Sequence, residues 1–444
     1  MKNLELYKWQ EEALQAWKDN NYQGVIEAVT GSGKTRVAHR AILTHLPLGY
    51  KICILVPSVD LQRQWYDDLK KIICVYEYDI TLLGGGSDWS SVIAHNWRVL
   101  IAVVKSASNR ELFPGKKALL IADECHHYGA PAFQAALKED FSRRLGLTAT
   151  YERSDDGLER FLNPYFTKVC YQLNYEKALQ EGVIAHFKLA FIRVSLSEDE
   201  RYGYKLSEDQ CKIYKTELVK RGVTEEPFGI FMKEVAKLCN GFFRNTRLSK
   251  TDERIGLAKS YLHFFAEKRA LLANASQKFR ILSRLSSIIK EADRTILFSQ
   301  TKESAQKAVA VLKNNSINAN VINSDMNKWE RKEILADFEE GDTEAVAAPI
   351  LLDEGINVPS ADLAIILSSN RNKRQMIQRM GRVIRIKEDG RLARIVILVA
   401  ENTFEDPELG AHEAFLEDII EVADDIQYFD EDDIQKITEY LNTY

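Results

Sequence analysis

The chain reads as an α/β protein with two parallel-sheet lobes in tandem. A helical insertion lies between the lobes or within the second, and an acidic, helical segment ends the chain. Three observations predict this. Residues 51–56, 99–103 and 118–122 are apolar throughout rather than alternating, as strands are when helices cover both faces of a parallel sheet. A second series of such strands begins at 295–298 and continues through 321–322, 346–348, 363–367 and 395–399. Between the two series, from about 200 to 290, the apolar residues Ile255, Leu262, Phe265, Leu272, Phe279, Leu282 and Ile289 belong to a long helical pattern. A chain of 444 residues is too long for one compact core. The expected divisions are a first lobe over 1–165, a second over 166–400 holding the insertion at about 200–290, and a tail over 401–444.

Taken in order, Leu6, Trp9, Ala13, Leu14 and Trp17 predict an amphipathic opening helix that carries Gln10. Val25 and Ile26 form a short strand, and Val37, Ala38, Ala41 and Ile42 open a helix. Between them runs Ala28-Val29-Thr30-Gly31-Ser32-Gly33-Lys34-Thr35. Strand, glycine-rich loop and helix together make a phosphate-binding loop. Gly31 and Gly33 let the backbone curl its N–H groups toward one anion, and the helix aims its positive end there. Lys34 is suited to the β- and γ-phosphates and the Thr35 hydroxyl to Mg²⁺.

Asp123-Glu124-Cys125-His126 follows a strand, at the sheet edge where a bound nucleotide sits. Asp123 suits a water-mediated grip on Mg²⁺, and Glu124 suits activation of an attacking water. A His126–His127 metal pair is the rival reading, but no third ligand lies near in sequence. Thr148-Ala149-Thr150 ends another strand and offers two hydroxyls for a hydrogen-bond relay. In the second lobe, Arg379, Arg382 and Arg385 recur at intervals of three, which places them on one face of a helix. Such guanidinium groups stabilise charge on a transferring phosphoryl group.

Composition narrows the rest. Hydrophobic residues at 45% and charged ones at 28% fit a soluble globular protein, and a net charge of −5 leaves no global basic field. Nucleic-acid binding would need a local surface. One is offered by the insertion, where Arg244, Arg247 and other basic residues outnumber acidic ones after Phe242 and Phe243. The alternative there is a solvated helix face. The tail inverts the balance, with about fifteen carboxylates and almost no basic residues. Its recurrent Phe415, Leu416, Ile419, Ile434, Ile437 and Leu441 predict docked helices. Six scattered cysteines without a CxxC pair imply reduced thiols, a cytoplasmic location and no zinc site. No apolar run approaches the ~18 residues of a membrane span, and no signal-peptide core opens the chain.

Together these motifs resemble those of the superfamily 2 helicases and translocases, the group that includes DEAD- and DEAH-box proteins. Residues 28–35 match motif I and Gln10 the adenine-reading glutamine. Pro57, Gln62 and Trp65 resemble motif Ia, and Asp123 to His126 is motif II as DECH. Thr148 to Thr150 is motif III, Ile296 to Ser299 motif IV, 353–359 motif V and 378–385 motif VI. The resemblance covers about residues 4 to 400. It implies two RecA-like lobes and an ATPase stimulated by nucleic acid. The form of motifs II and III, followed by Glu152 and Arg153, looks most like the branch of XPB-type helicases, the phage UvsW helicase and restriction-enzyme motor subunits. That branch implies DNA, double-stranded or branched, more than RNA. Two departures stand out: Asn357 replaces the usual aspartate of motif V, and Tyr151 replaces a proline after motif III.

The site residues implied are therefore as follows. Gln10, Thr30, Gly31, Ser32, Gly33, Lys34, Thr35, Gly355 and Asn357 would hold ATP, with Thr35 and Asp123 at Mg²⁺. Glu124, His126, Gln378, Arg382 and Arg385 would serve catalysis. Pro57, Gln62, Ser299, Thr301, Arg244 and Arg247 are the nucleic-acid candidates. Three functions remain open: a DNA helicase or double-strand translocase, an ATP-gated clamp that recruits a nuclease or other effector protein, and an RNA helicase.

Overall fold

The computed structural model of the chain describes residues 4–73, 80–87, 89–153, 155–244, 246–323, 325–349, 361–368, 383–384, 386–387, 390–409 and 420–443. The first lobe is a seven-stranded sheet. Its strands are β1 Gln23–Ala28, β2 Lys51–Val56, β3 Ile80–Leu83, β4 Val99–Val103, β5 Ala118–Asp123, β6 Arg143–Thr148 and β7 Val169–Leu173. They run in the order β3-β4-β2-β5-β6-β1-β7, every pairing parallel. The all-apolar strands occupy the middle: β4 and β5 are buried at every position, and β2 at all but Lys51. Helix α1 (Lys8–Asp19) buries Trp9, Gln10, Ala13 and Trp17 against the sheet, and the Trp17 indole donates to the Arg144 carbonyl at 2.9 Å. Helices α2 (Lys34–His45) and α3 (Val59–Ile72) follow β1 and β2.

The lobe boundary differs from the sequence expectation. Strand β7 pairs with β1, so the first lobe runs past 165 to at least Leu173. The second lobe opens with β8 (Phe187–Val194), before the insertion, which therefore lies within that lobe. The insertion holds α4 (Glu198–Lys220), α5 (Phe228–Cys239), the hairpin of β9 (Phe242–Phe243) and β10 (Thr246–Arg247), and α6 (Glu253–Ala273). Its helices bury a core of their own, built on Leu218, Phe231, Val235, Leu238, Ala258 and Tyr261. Ser197 starts α4 with a reciprocal cap: its hydroxyl accepts from the Glu200 N–H, and the Glu200 carboxylate accepts from the Ser197 N–H at 3.0 Å.

Helix α7 (Ser276–Arg284) leads back to the second sheet. Its remaining strands are β11 Thr295–Ser299, β12 Ala319–Val321, β13 Ala345–Pro349, β14 Leu363–Ile366, β15 Ala393–Ala400 and β16 Asp425–Asp430. The order is β12-β13-β11-β14-β15-β8-β16, again parallel throughout. Helices α8 (Lys302–Asn314) and α9 (Lys328–Glu340) follow β11 and β12.

The acidic tail docks through α10 (Ile434–Asn442), which buries Ile437, Tyr440 and Leu441. It also supplies a strand, because β16 lies along β8, where Arg193 pairs with Asp430 and Lys188 holds the Thr443 carbonyl at 2.8 Å. Asp430 sits opposite Arg193, whose guanidinium is 2.9 Å away, and Asp425 sits opposite Lys188. Phe415, Leu416 and Ile419 lie outside the described residues.

Candidate ATP-binding and hydrolysis site

In the first sheet, β5, β6 and β1 are adjacent, with Asp123 level with Leu147 and Glu27 level with Thr148. The phosphate loop, the acidic motif and the threonine motif therefore leave the carboxyl ends of three neighbouring parallel strands, about 5 Å apart. This is the edge at which open parallel sheets bind ligands.

The loop is held by contacts of its own. Gly31 and Gly33 adopt φ of 82° and 86°, a region that a side chain would strain. The Ser32 hydroxyl donates to the Val29 carbonyl at 2.7 Å, and the Lys34 ammonium donates to the Ala28 carbonyl at 2.7 Å. Thr30 and Thr35 are half-buried, with Thr35 in the first turn of α2. Gln10 reaches this loop from α1. Its amide nitrogen donates to the Gly33 carbonyl at 3.2 Å, and its oxygen accepts the Tyr7 N–H at 3.0 Å. Arg36 lies over the Tyr7 ring, 5.9 Å from its centroid.

Asp123 is buried, and both of its oxygens are oriented. Oδ2 accepts the Trp65 indole N–H at 2.8 Å, and Oδ1 accepts the Glu124 N–H at 3.1 Å. Glu124 takes a left-handed backbone (φ 48°, ψ 50°), unusual for a residue with a side chain and a mark of functional turns. That turn sends the chain into a short helix carrying His126. The His126 Nδ1 lies 2.8 Å from the Thr148 hydroxyl and 3.5 Å from Glu124 Oε2. The Thr148 hydroxyl in turn donates to the Thr150 carbonyl at 3.0 Å. His126 is thus joined through the Thr148 hydroxyl to the Thr150 carbonyl, while the Thr150 hydroxyl has no hydrogen-bond partner among the described residues, so the two-hydroxyl relay is not formed. Burial first, then the Glu124, Asp123 and Glu27 carboxylates, hold the Cys125 thiol well above its usual range. It stays protonated and is no nucleophile.

Three further positioning groups were not legible as such in the sequence. Trp65 reads there as a motif Ia match, with nothing to mark its indole as the partner of Asp123. Arg153 donates to the His126 carbonyl and forks onto Asp155, at 2.7 Å for each nitrogen. That fork holds the Asp155 carboxyl down at about 2. Tyr151 donates its N–H to Glu27 Oε1 at 2.8 Å, tying the segment after β6 back to β1. A proline, usual at this position in the resembled family, has no N–H to give.

Two nucleic-acid candidates are corrected. Gln62 is 2% exposed, and its amide donates to the Leu83 and Ile101 carbonyls at 3.1 and 2.7 Å. It pins α3 to the sheet rather than facing a ligand. Ser299 is fully buried, its hydroxyl turned to the Thr301 carbonyl at 3.1 Å. Thr301 is half-buried and caps α8, accepting the Ser304 N–H at 3.0 Å. Pro57 is half-buried at the end of β2, and Arg244 and Arg247 are exposed at the small hairpin. Gly355, Asn357, Gln378, Arg382 and Arg385 lie outside the described residues.

Two expectations follow here. Trp65→Phe keeps a ring in the core but removes the donor to Asp123. It is expected to weaken Mg²⁺-dependent binding of a fluorescent ADP by about tenfold, as losing a hydrogen bond to a charged group does, with little change when Mg²⁺ is absent. The second concerns His39, which packs edge-on against Trp65 with ring centroids 5.3 Å apart. Burial, aided by Arg36, lowers its pKa from 6.5 to about 4. The unfolded chain takes up this proton near pH 6.5 and the folded one only near 4. The associated stability is complete above pH 6.5 and is lost as pH falls toward 4, by about 3 kcal/mol in all. His39→Phe is expected to flatten the pH dependence of the unfolding midpoint across that window.

The comparisons agree with this geometry. The family described as Type III restriction enzyme, res subunit, matches residues 3–153, and the Helicase conserved C-terminal domain matches 277–387. A protein of Sulfurisphaera tokodaii named DNA 3'-5' translocase XPB2 is 30% identical over 403 residues, covering 90% of this chain and 82% of that one. Proteins named DNA 3'-5' helicase XPB from Kineococcus radiotolerans and Mycobacterium tuberculosis are 26% and 25% identical, and the chain covers 59% and 63% of their lengths. Among solved structures, Saccharomyces cerevisiae Dbp5 bound to RNA and ADP BeF3 aligns with a TM-score of 0.61 at 16% identity, covering 98% of this chain and 92% of that one. The Pyrococcus furiosus Hef helicase domain aligns at 0.58 with 19% identity, covering 91% and 98%. These last two share the fold. With matches at both lobes and an XPB relative spanning most of its length, the chain belongs to the ATP-hydrolysing superfamily 2 helicases, in the XPB family.

Proposed function

We propose that the chain is a DNA helicase or double-strand DNA translocase that couples ATP hydrolysis to movement along DNA. One observation carries the reading: the phosphate loop, Asp123-Glu124 and the His126–Thr148 link converge at the carboxyl ends of β1, β5 and β6. The names of the XPB relatives support DNA as the track. The free thiols among the described cysteines fit action in the cytoplasm, and no described helix is long and apolar enough to cross a membrane.

In this reading ATP enters the first lobe. The loop N–H groups and Lys34 take the phosphates, and Gln10, fully buried between Tyr7 and Gly33, meets the adenine only by exchanging one of those bonds for the base. Thr35 and the oriented Asp123 carboxylate are hard oxygen donors of the kind Mg²⁺ takes, and the ion would neutralise charge on the β- and γ-phosphates. Closure of the second lobe brings Arg382 and Arg385 to the γ-phosphate, with Gly355 and Asn357 beside the nucleotide. Glu124 takes a proton from the attacking water. His126 carries the change in the acidic motif to Thr148 on one side and to Gln378 on the other. Hydrolysis removes the charge that bridges the lobes, and their reopening advances the grip on the DNA backbone.

Displacement of a labelled third strand from a DNA triplex tests translocation itself. ATP-dependent displacement supports the motor. ATP-dependent DNA binding without displacement identifies a clamp, whose partner would be a nuclease or other effector.

A further inference from the structure

Of the six tryptophans in the chain, Trp9, Trp17, Trp65 and Trp97 are no more than 2% exposed, whereas Trp329 is 80% exposed. It is the most exposed large apolar side chain among the described residues. Trp329 stands in the first turn of α9, whose start is fixed by a cap: Asn327 Oδ1 accepts the N–H groups of Trp329 and Glu330 at 2.9 and 3.0 Å. The ring is thus presented from a rigid element.

Its place in the fold is informative. Helix α9 begins on the same sheet edge as the carboxyl ends of β11 and β13, the ligand-binding edge of such a sheet. The turn before α9 is tied to the start of α8, because Lys302 meets Asp325 at 2.5 Å. Of the nearby acidic groups, Asp325 is engaged by Lys302 and Glu330 by the Asn327 N–H at 3.1 Å, while Glu333 is exposed one turn on from the ring. Lys332 is exposed one turn from the ring, and Arg331 closes the turn through the Met326 carbonyl. An exposed flat ring next to Lys332, at the ligand edge of the lobe, matches the chemistry of an unpaired nucleic-acid strand, with one base stacked and a phosphate beside that lysine.

We propose that Trp329 is a stacking platform for an unpaired base where a DNA strand crosses the second lobe. The inference rests on the nucleic-acid reading above and adds a residue that none of the motifs marks.

The test is a titration of the full chain with an oligodeoxythymidylate, following tryptophan emission. Wild type is expected to be quenched as the strand binds. Trp329→Phe is expected to bind nearly as tightly but to lose most of the quenching, whereas Trp89→Phe keeps it. Trp329→Leu is expected to weaken binding by about fivefold to a hundredfold, the range for losing one stacked base. A Trp329→Leu variant that binds as tightly as wild type, or wild-type emission unmoved by a bound strand, overturns the platform. The surface would then fall to a protein partner. If DNA still stimulates ATP hydrolysis in that case, the functional reading survives. If no nucleic acid binds wild type at all, both fall.

Discussion

Glu124→Gln is expected to lower nucleic-acid-stimulated ATP hydrolysis by about a hundredfold or more, the range for removing a general base. The substitution keeps the side chain's shape, so the left-handed turn at φ 48° and the adjoining His126–Thr148 contact should persist. Nucleotide should still bind, because the loop N–H groups, Lys34 and Asp123 are untouched. Lys34→Ala differs in kind. It removes the ammonium that meets the phosphates, so nucleotide affinity falls along with turnover. Measuring ATPase rate and fluorescent-nucleotide affinity on both variants separates the two roles. Substantial hydrolysis by Glu124→Gln would remove Glu124 from the chemistry.

Lys278→Ala is expected to destabilise the second lobe by about 3–5 kcal/mol, as breaking a buried ion pair does. Lys278 on α7 and Glu405 just after β15 are both fully buried, with Nζ 2.5 Å from Oε2, and the same oxygen accepts the Ala400 N–H at 3.3 Å. Burial lowers the Lys278 pKa, and Glu405 opposes that shift. Removing the lysine takes from the buried carboxylate its contacting counter-charge and leaves only the longer-range attraction of Arg269. A loss of that size is a large share of the ~5–15 kcal/mol that keeps a domain folded. The pair fastens the end of the insertion to the start of the acidic tail, so the effect should appear as faster hydrogen exchange in β8 and β15. Replacing both residues by leucine should recover much of the loss. If Lys278→Ala exchanges like wild type, the pair is no anchor.

The central strands were legible because burial on both faces leaves room only for apolar residues, as in β2, β4 and β5. The strands missed lie at or next to the sheet edges, where a charge can reach water or a partner. Strand β8 carries Lys188 and Arg193, which interrupt its apolar run, and β16 lies opposite them with Asp425 and Asp430. Strand β7 exposes Gln172 at the rim of the first sheet, and its pairing with β1 moved the lobe boundary. The candidate site was legible wherever one residue type does one job at fixed spacing, as in Lys34-Thr35 and Asp123-Glu124. Orientation was not. The Trp65 indole, the Tyr151 N–H and the Arg153 fork act through groups far away in sequence. Gln62 misleads for the same reason: an amide among apolar residues looks available to a ligand until two buried carbonyls are found to take its protons.

A motor driven by DNA is tested by the steady-state ATPase rate with single-stranded DNA, duplex DNA, forked DNA and RNA, with Glu124→Gln as the blank. Stimulation by DNA is expected, strongest with duplex or forked substrates. Stimulation by RNA alone, or by no nucleic acid, would contradict it.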